Sequence, residues 1–435
     1  IRYRSVSRGL GDVYKRQLGH FLMARAFKIR VEKFYIFFDP WFSLFKFKRG
    51  DTEYGLGWLP LGGYVKIAGM IDESMDKEQM KQPVKPDEFR AKPAWQRLLV
   101  MVAGVMMNVL LAIVIYCAVC YTWGDSYFSN QDAKWGYNFN PTAHEMGFRD
   151  GDRFVSIDGE EIDNVMRVQN DLLITDGGRR VIVERGGEPV TLDIPFESLL
   201  RMRQEKAYED LFTLRLPFIV DSVSYTSAVE AGLESGDEVV AIDDLRDADY
   251  PRYRDYLQKH KNDKVLLTVR RDGALIDSLA LPVDAEGRIG VTVTNPYSLR
   301  TQYYTFWESI PAGIHKAGKT ISSYWDQLKL IVQPKTKMYE ELGGFVAIGS
   351  IFPSSWDWHD FWLKTAFLSI ILAVMNLLPI PGLDGGHALF TLWEIITRRK
   401  PSEKFLEVAQ YVGLMIILAL LVYANGNDIY RFFIK

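Results

Sequence analysis

Cysteine is nearly absent from the 435 residues: Cys117 and Cys120 are the two present. They sit three apart in an apolar run without a histidine nearby, so they cannot staple distant segments. A C-x-x-C pair can signal zinc or redox chemistry, but here it fits two small apolar side chains in a membrane helix. An excess of one charge is also missing. The formal net charge is -3, which says nothing useful about partners; no nucleic acid is expected among them. Residues 1–17 (IRYRSVSRGLGDVYKRQ) carry five Lys/Arg and no apolar centre, which excludes a secretory signal peptide.

What is present is a hydrophobic content of 48% with near-neutral mean hydropathy, as expected of membrane spans diluted by a large soluble part. A chain of this length exceeds one core, so several domains are expected. Leu98–Gly124 runs 27 residues without a charge, more than the ~20 needed to cross a bilayer. Thr365–Leu383 and Val408–Asn427 are the second and third candidate spans. Fourteen Lys/Arg in 21–97, and Arg398, Arg399, Lys400 and Lys404 in the short 391–407 connection, place those segments in the cytoplasm by the positive-inside tendency. The long 125–360 segment then lies outside.

One carboxylate is out of place. Asp384 follows nineteen uncharged residues, in Asn376-Leu-Leu-Pro379-Ile-Pro381-Gly-Leu-Asp384-Gly385-Gly386-His387. Ionisable groups at membrane depth are rare and mostly functional, and the two prolines break the helix where only protein or a polar cavity can cover irregular backbone. Asp384 therefore reads as a buried ligand, or as a solvated residue where the helix stops at the interface. Asn108, in the first span, fits a helix–helix hydrogen bond or a position facing Asp384.

Residues 34–70 alternate aromatic and apolar residues with glycine, with turns expected at Asp39-Pro40 and Arg49-Gly50-Asp51. Between membrane elements they form either a small sheet dipping into the bilayer, whose edge captures an extended peptide, or an ordinary hairpin with an aromatic face. Residues 71–93 read as a solvated surface segment. An internal repeat follows. Gly147-Phe-Arg-Asp-Gly151-Asp152 and Ile157-Asp158 align with Gly232-Leu-Glu-Ser-Gly236-Asp237 and Ile242-Asp243 at a constant offset of 85. Beyond it, residues 297–360 hold linker helices with interfacial tryptophans and a Gly-rich piece, Leu342–Phe352, too short to span.

The repeat, with its G-x-x-x-G-D turn entering an alternating strand, resembles the PDZ family, which implies peptide capture at a sheet edge over 125–217 and 218–296, or spacer and size-filter modules. The Asn376-to-Gly386 stretch resembles the N-x-x-P-x-P-x-L-D-G motif of the site-2 protease family of intramembrane zinc metalloproteases. The order of Leu18-Gly19-His20, the aromatic sheet, Asn108, the two repeats and the aspartate matches the bacterial sigma-E-regulating type over nearly all of 18–435. The implied fold is a polytopic α-helical membrane protein with a membrane-associated β-sheet and two PDZ-like α+β domains.

The resemblance also implies chemistry. Zn2+ would be held by two histidines of an H-E-x-x-H helix and a distant carboxylate, with the glutamate as general base. By position, His20 matches the second histidine and Asp384 the third ligand; Gly55, Gly57, Asn108, Asn376, Pro379 and Pro381 match substrate-binding positions. Arg16 stands where the first histidine belongs, and Gln17 where the glutamate belongs. Gln17 cannot act as a base, so the sequence as it stands predicts no cleavage. The change coincides with the lack of an apolar run before Leu18, as expected of an aberrant or foreign segment over 1–17.

The implied substrates are transmembrane proteins such as an anti-sigma factor already trimmed outside. The implied location is the bacterial inner membrane, multi-pass, in contact with the lipid bilayer, with the PDZ-like domains on the periplasmic or extracytoplasmic side. The alternative is a non-catalytic membrane scaffold binding peptides through those domains.

Overall fold

The computed structural model describes residues 17–59, 63–70, 83–208, 210–247, 249–353 and 355–434. Position 16 and the rest of the unusual amino-terminal stretch before Gln17 lie outside the described residues. The chain divides into two compact units, residues 1–125 with 303–435 and residues 126–302.

In the first unit, three described helices are long and apolar enough to cross a membrane: Ala94–Trp123, Trp358–Leu377 and Lys404–Phe432. The expected second span, Thr365–Leu383, is corrected. Its helix begins earlier because the Asp357 side chain accepts from the Asp360 amide and caps it, and it ends at Leu377, before Pro379 and Pro381. Proline lacks the N–H and clashes with the preceding turn, so residues 378–383 form an irregular connection. A further 27-residue helix, Phe306–Val332, opens with a Thr305/Glu308 capping box and packs on the first two of these. Ala112, Ile115, Tyr116, Ala317, Ala366 and Ile370 form their shared core. Small residues let such helices approach closely: a Cβ on Gly313 would lie 2.5 Å from the Cys117 sulfur. Both cysteines are free thiols.

The aromatic segment forms a four-stranded sheet. Val31–Tyr35 lies inside it, parallel to Thr52–Leu59 and antiparallel to Tyr64–Ile67. The expected turn at Asp39-Pro40 is not there. Phe38–Arg49 is one strand of 12 residues whose register shifts between Phe38 and Ser43; a bulge accommodates the proline. The turn at Arg49-Gly50-Asp51 is present, with Gly50 at φ 64. Trp41, Phe42, Leu44, Phe45 and Phe47 are exposed along the outer strand.

In the second unit, the repeat recurs as matched chemistry. Arg185 donates to both oxygens of Asp152 and to the Gly147 carbonyl; Arg271 does the same to Asp237 and Gly232. The amides of Arg149 and Glu234 complete the two carboxylate cradles. Each repeat closes its own core, around Phe154, Val181 and Leu199 in the first and around Val239, Tyr253 and Leu267 in the second.

Arg185→Leu leaves the fully buried Asp152 carboxylate without its cation, which costs about 3 kcal/mol. A denaturant midpoint for this unit within the full chain measures that loss. Burial alone would raise the Asp237 carboxyl, but the hydrogen bonds from Arg271 and the Glu234 amide, with the Arg271 charge, hold it below the usual carboxylate range. Its stabilisation is therefore present above the ordinary carboxylate pKa and disappears as pH falls through the lowered folded value.

Candidate metal centre

His20 lies on a helix over residues 17–26, and the adjacent Gly19 determines how closely that helix approaches the Ala94–Trp123 helix. A Cβ at Gly19 would stand 2.4 Å from the Ala103 carbonyl oxygen, so any other residue forces the two apart. The close approach brings His20 Nδ1 to 2.8 Å from the Val100 carbonyl oxygen. A carbonyl only accepts, so Nδ1 carries a proton and Nε2 is the nitrogen left to face a metal. This is the usual way a ligating imidazole is oriented.

Asp384 arrives from the opposite direction. The 378–383 connection folds back against the start of the Asp384–Thr397 helix, which two glycines permit. A Cβ on Gly385 would meet the Leu377 carbonyl at 2.3 Å, and one on Gly386 the Ile380 carbonyl at 2.5 Å. Gly413 of the last span seats the same connection, with no room for a side chain against the Pro381 carbonyl. Asp384 is thereby the first residue of a 14-residue helix, where the N-terminal dipole favours its negative charge.

His20 Nε2 and Asp384 Oδ2 stand 3.4 Å apart, and each residue is 6% exposed. The separation tests whether the pair fits a metal. Two donors at ~2.0–2.2 Å from one tetrahedral zinc are themselves roughly 3.3–3.6 Å apart. Distance, tautomer and donor types fit two corners of such a site. They do not complete it, because no group of three His, Cys, Asp or Glu that could hold a metal occurs among the described residues. Gln17 is buried one turn before His20, and its side-chain oxygen has no partner among the described residues.

The other candidates divide. Asn108 is 1% exposed, and neither its amide nitrogen nor its amide oxygen has a partner among the described residues. The helix–helix bond expected of it is made instead by its main-chain carbonyl, which accepts from the Ser369 hydroxyl at 2.9 Å. Asn376 is buried and donates back to Leu372 of its own helix at 2.7 Å. Gly55 and Gly57 sit in the Thr52–Leu59 strand, where added side chains would strike the Tyr35 ring and the Phe38 carbonyl; sheet packing accounts for both. The packing role of Gly19 and the Val100 carbonyl are not legible in the sequence. A small residue beside a histidine was Gly19's only signal, and a main-chain acceptor leaves none.

Residues 17–420 match Peptidase family M50. A protein of Clostridium perfringens named as a zinc metalloprotease is 29% identical over 95% of this chain and 93% of its own length. One of Neisseria meningitidis with the same designation is 25% identical over 95% of each. A Haemophilus influenzae protein named Regulator of sigma E protease is 27% identical, again over 95% of each.

Proposed function

The chain belongs to peptidase family M50, with zinc the metal expected from its relatives' names, and we propose that its site is built to hydrolyse a peptide bond of a single-span membrane protein. The observation carrying this reading is the buried His20–Asp384 pair at 3.4 Å, two donors aimed at one point beside a broken membrane helix. When bound, zinc supplies Lewis acidity that makes water a nucleophile at neutral pH. His20 and Asp384 would hold it, the first through Nε2 and the second through Oδ2. The Val100 carbonyl keeps His20 in the ligating tautomer.

The polar atoms of Asn108 support a role toward substrate. Leaving a buried amide unpaired costs roughly 1–3 kcal/mol, a cost that a substrate main chain made extended at the broken helix would offset. Asn376, Pro379 and Pro381 shape the connection that delivers Asp384. The two repeats in 126–302 act as PDZ-like modules admitting only a substrate already trimmed outside the membrane, such as an anti-sigma factor.

Arg16 and Gln17 favour a second reading for this chain. An amide neither takes a proton nor returns it to the leaving amine, and a guanidinium donates to no metal. With both in place the protein is an inert membrane scaffold that binds peptides through its repeats.

The test uses the full chain carrying both Arg16→His and Gln17→Glu, co-reconstituted with a single-span substrate. Cleavage within the span, confined to substrate lacking its outer domain, is the expected result. A zinc-loaded protein that cleaves neither form contradicts the reading.

A further inference from the structure

The Asp384–Thr397 helix has two unlike faces. Leu389, Leu392, Trp393 and Ile396 form an exposed apolar stripe at the i, i+3, i+4, i+7 spacing of a helix laid against an apolar phase. His387, Phe390, Thr391 and Glu394, at the same spacing but two residues out of step and so on the opposite face of the helix, line a cavity of about 220 Å3. Its other walls come from Met70 and Val84, from Phe89 and Arg90, from Arg97, and from Lys400, Pro401, Leu406 and Gln410. Arg97 lies within the first turn of the Ala94–Trp123 span, and Lys400 to Gln410 leads into the last span. Both spans begin at this cavity, which puts it at the headgroup level of one leaflet.

The charges are unevenly matched. Arg97 is neutralised by Glu394 and Arg90 by Glu88, each at 2.6 Å. Lys400 lines the cavity without an ion pair among the described residues, and beside it Arg398 and Arg399 are exposed and equally unpaired there. Met70, Phe89, Phe390 and Leu406 supply an apolar wall. The volume falls below the ~300–1,000 Å3 of sites that enclose a drug-sized ligand, so it holds a headgroup and the root of its chains.

We propose that this cavity binds the headgroup of an anionic phospholipid, with Lys400 on the phosphate, Arg398 and Arg399 adding exposed positive charge beside the cavity, and the acyl chains leaving along its Phe390 and Leu406 wall. Cations next to a span are worth about fivefold each toward anionic lipid, and a tryptophan at headgroup depth fits the interfacial belt. A bound lipid would brace the helix whose first residue is Asp384. The site is independent of the metal centre, and its failure leaves that reading untouched.

The test is native mass spectrometry of the full chain in non-ionic detergent, with phosphatidylglycerol and phosphatidylcholine at equal concentration. One phosphatidylglycerol should survive activation that strips phosphatidylcholine. Lys400→Gln should weaken it about fivefold, and Arg398→Gln with Arg399→Gln and Lys400→Gln should remove it. Lys404→Gln, a cation outside the cavity, should leave it unchanged. All four side chains are exposed, so the fold is spared, which a circular dichroism spectrum verifies. Equal retention of the two lipids, equal loss on Lys404→Gln, or displacement of the lipid by millimolar inorganic phosphate would overturn the proposal.

Discussion

Arg16→His together with Gln17→Glu in the full chain should raise bound zinc from well below one per chain to nearly one and bring peptidase activity with it. The effect divides between the two positions. The H-E-x-x-H spacing that the family resemblance implies sets residue 16 four residues before His20, a separation that puts two histidines on one face wherever the chain is helical, so a histidine at 16 would add the third donor to His20 and Asp384. Arg16→His alone should bind zinc with little activity. Gln17→Glu alone should bind none. Only the pair supplies both the metal and a base, and a positioned base is itself worth about 10²–10⁴ in rate. Zinc measured on the purified single and double variants separates these contributions. Stoichiometric zinc in the unmodified chain would refute the account.

Asp384→Asn in the restored background has the next largest expected effect. The carboxylate becomes a weak neutral donor, while the glycine-lined turn that carries it, at Gly385, Gly386 and Gly413, is unchanged. Loss of a direct ligand should cost more than the ~10–100-fold in affinity that follows loss of an outer hydrogen-bond partner. Zinc and cleavage should both fall to background while thermal unfolding without metal stays where it was. An Asp384→Asn chain that keeps its zinc would show that the metal is held elsewhere.

Asp384 was visible in the sequence because a charge after a long apolar run demands an explanation. His20 was not visible in that way. It lies 364 residues earlier by its number, and only the resemblance connected the two. What brings them together is a glycine contact and a main-chain carbonyl, neither of which leaves a pattern in side-chain chemistry. Span boundaries failed where hydropathy and helicity part: the 365–383 run is uncharged throughout, yet its last six residues are not helical. The glycines and aspartates of the repeat were legible at offset 85, whereas Arg185 and Arg271 were not, since their positions differ by 86. The bulge at Asp39-Pro40 was misread because Asp-Pro is an ordinary turn signal and the neighbouring strand decided otherwise.

The most direct measurement is crosslinking between His20→Cys and Asp384→Cys in full-length protein, in membranes, with Cys117 and Cys120 changed to alanine. A reagent of disulfide reach should join the two positions in high yield, and a membrane-impermeant thiol reagent should label neither. Absence of the crosslink, with both thiols freely labelled from water, would show that the aspartate and the histidine never meet.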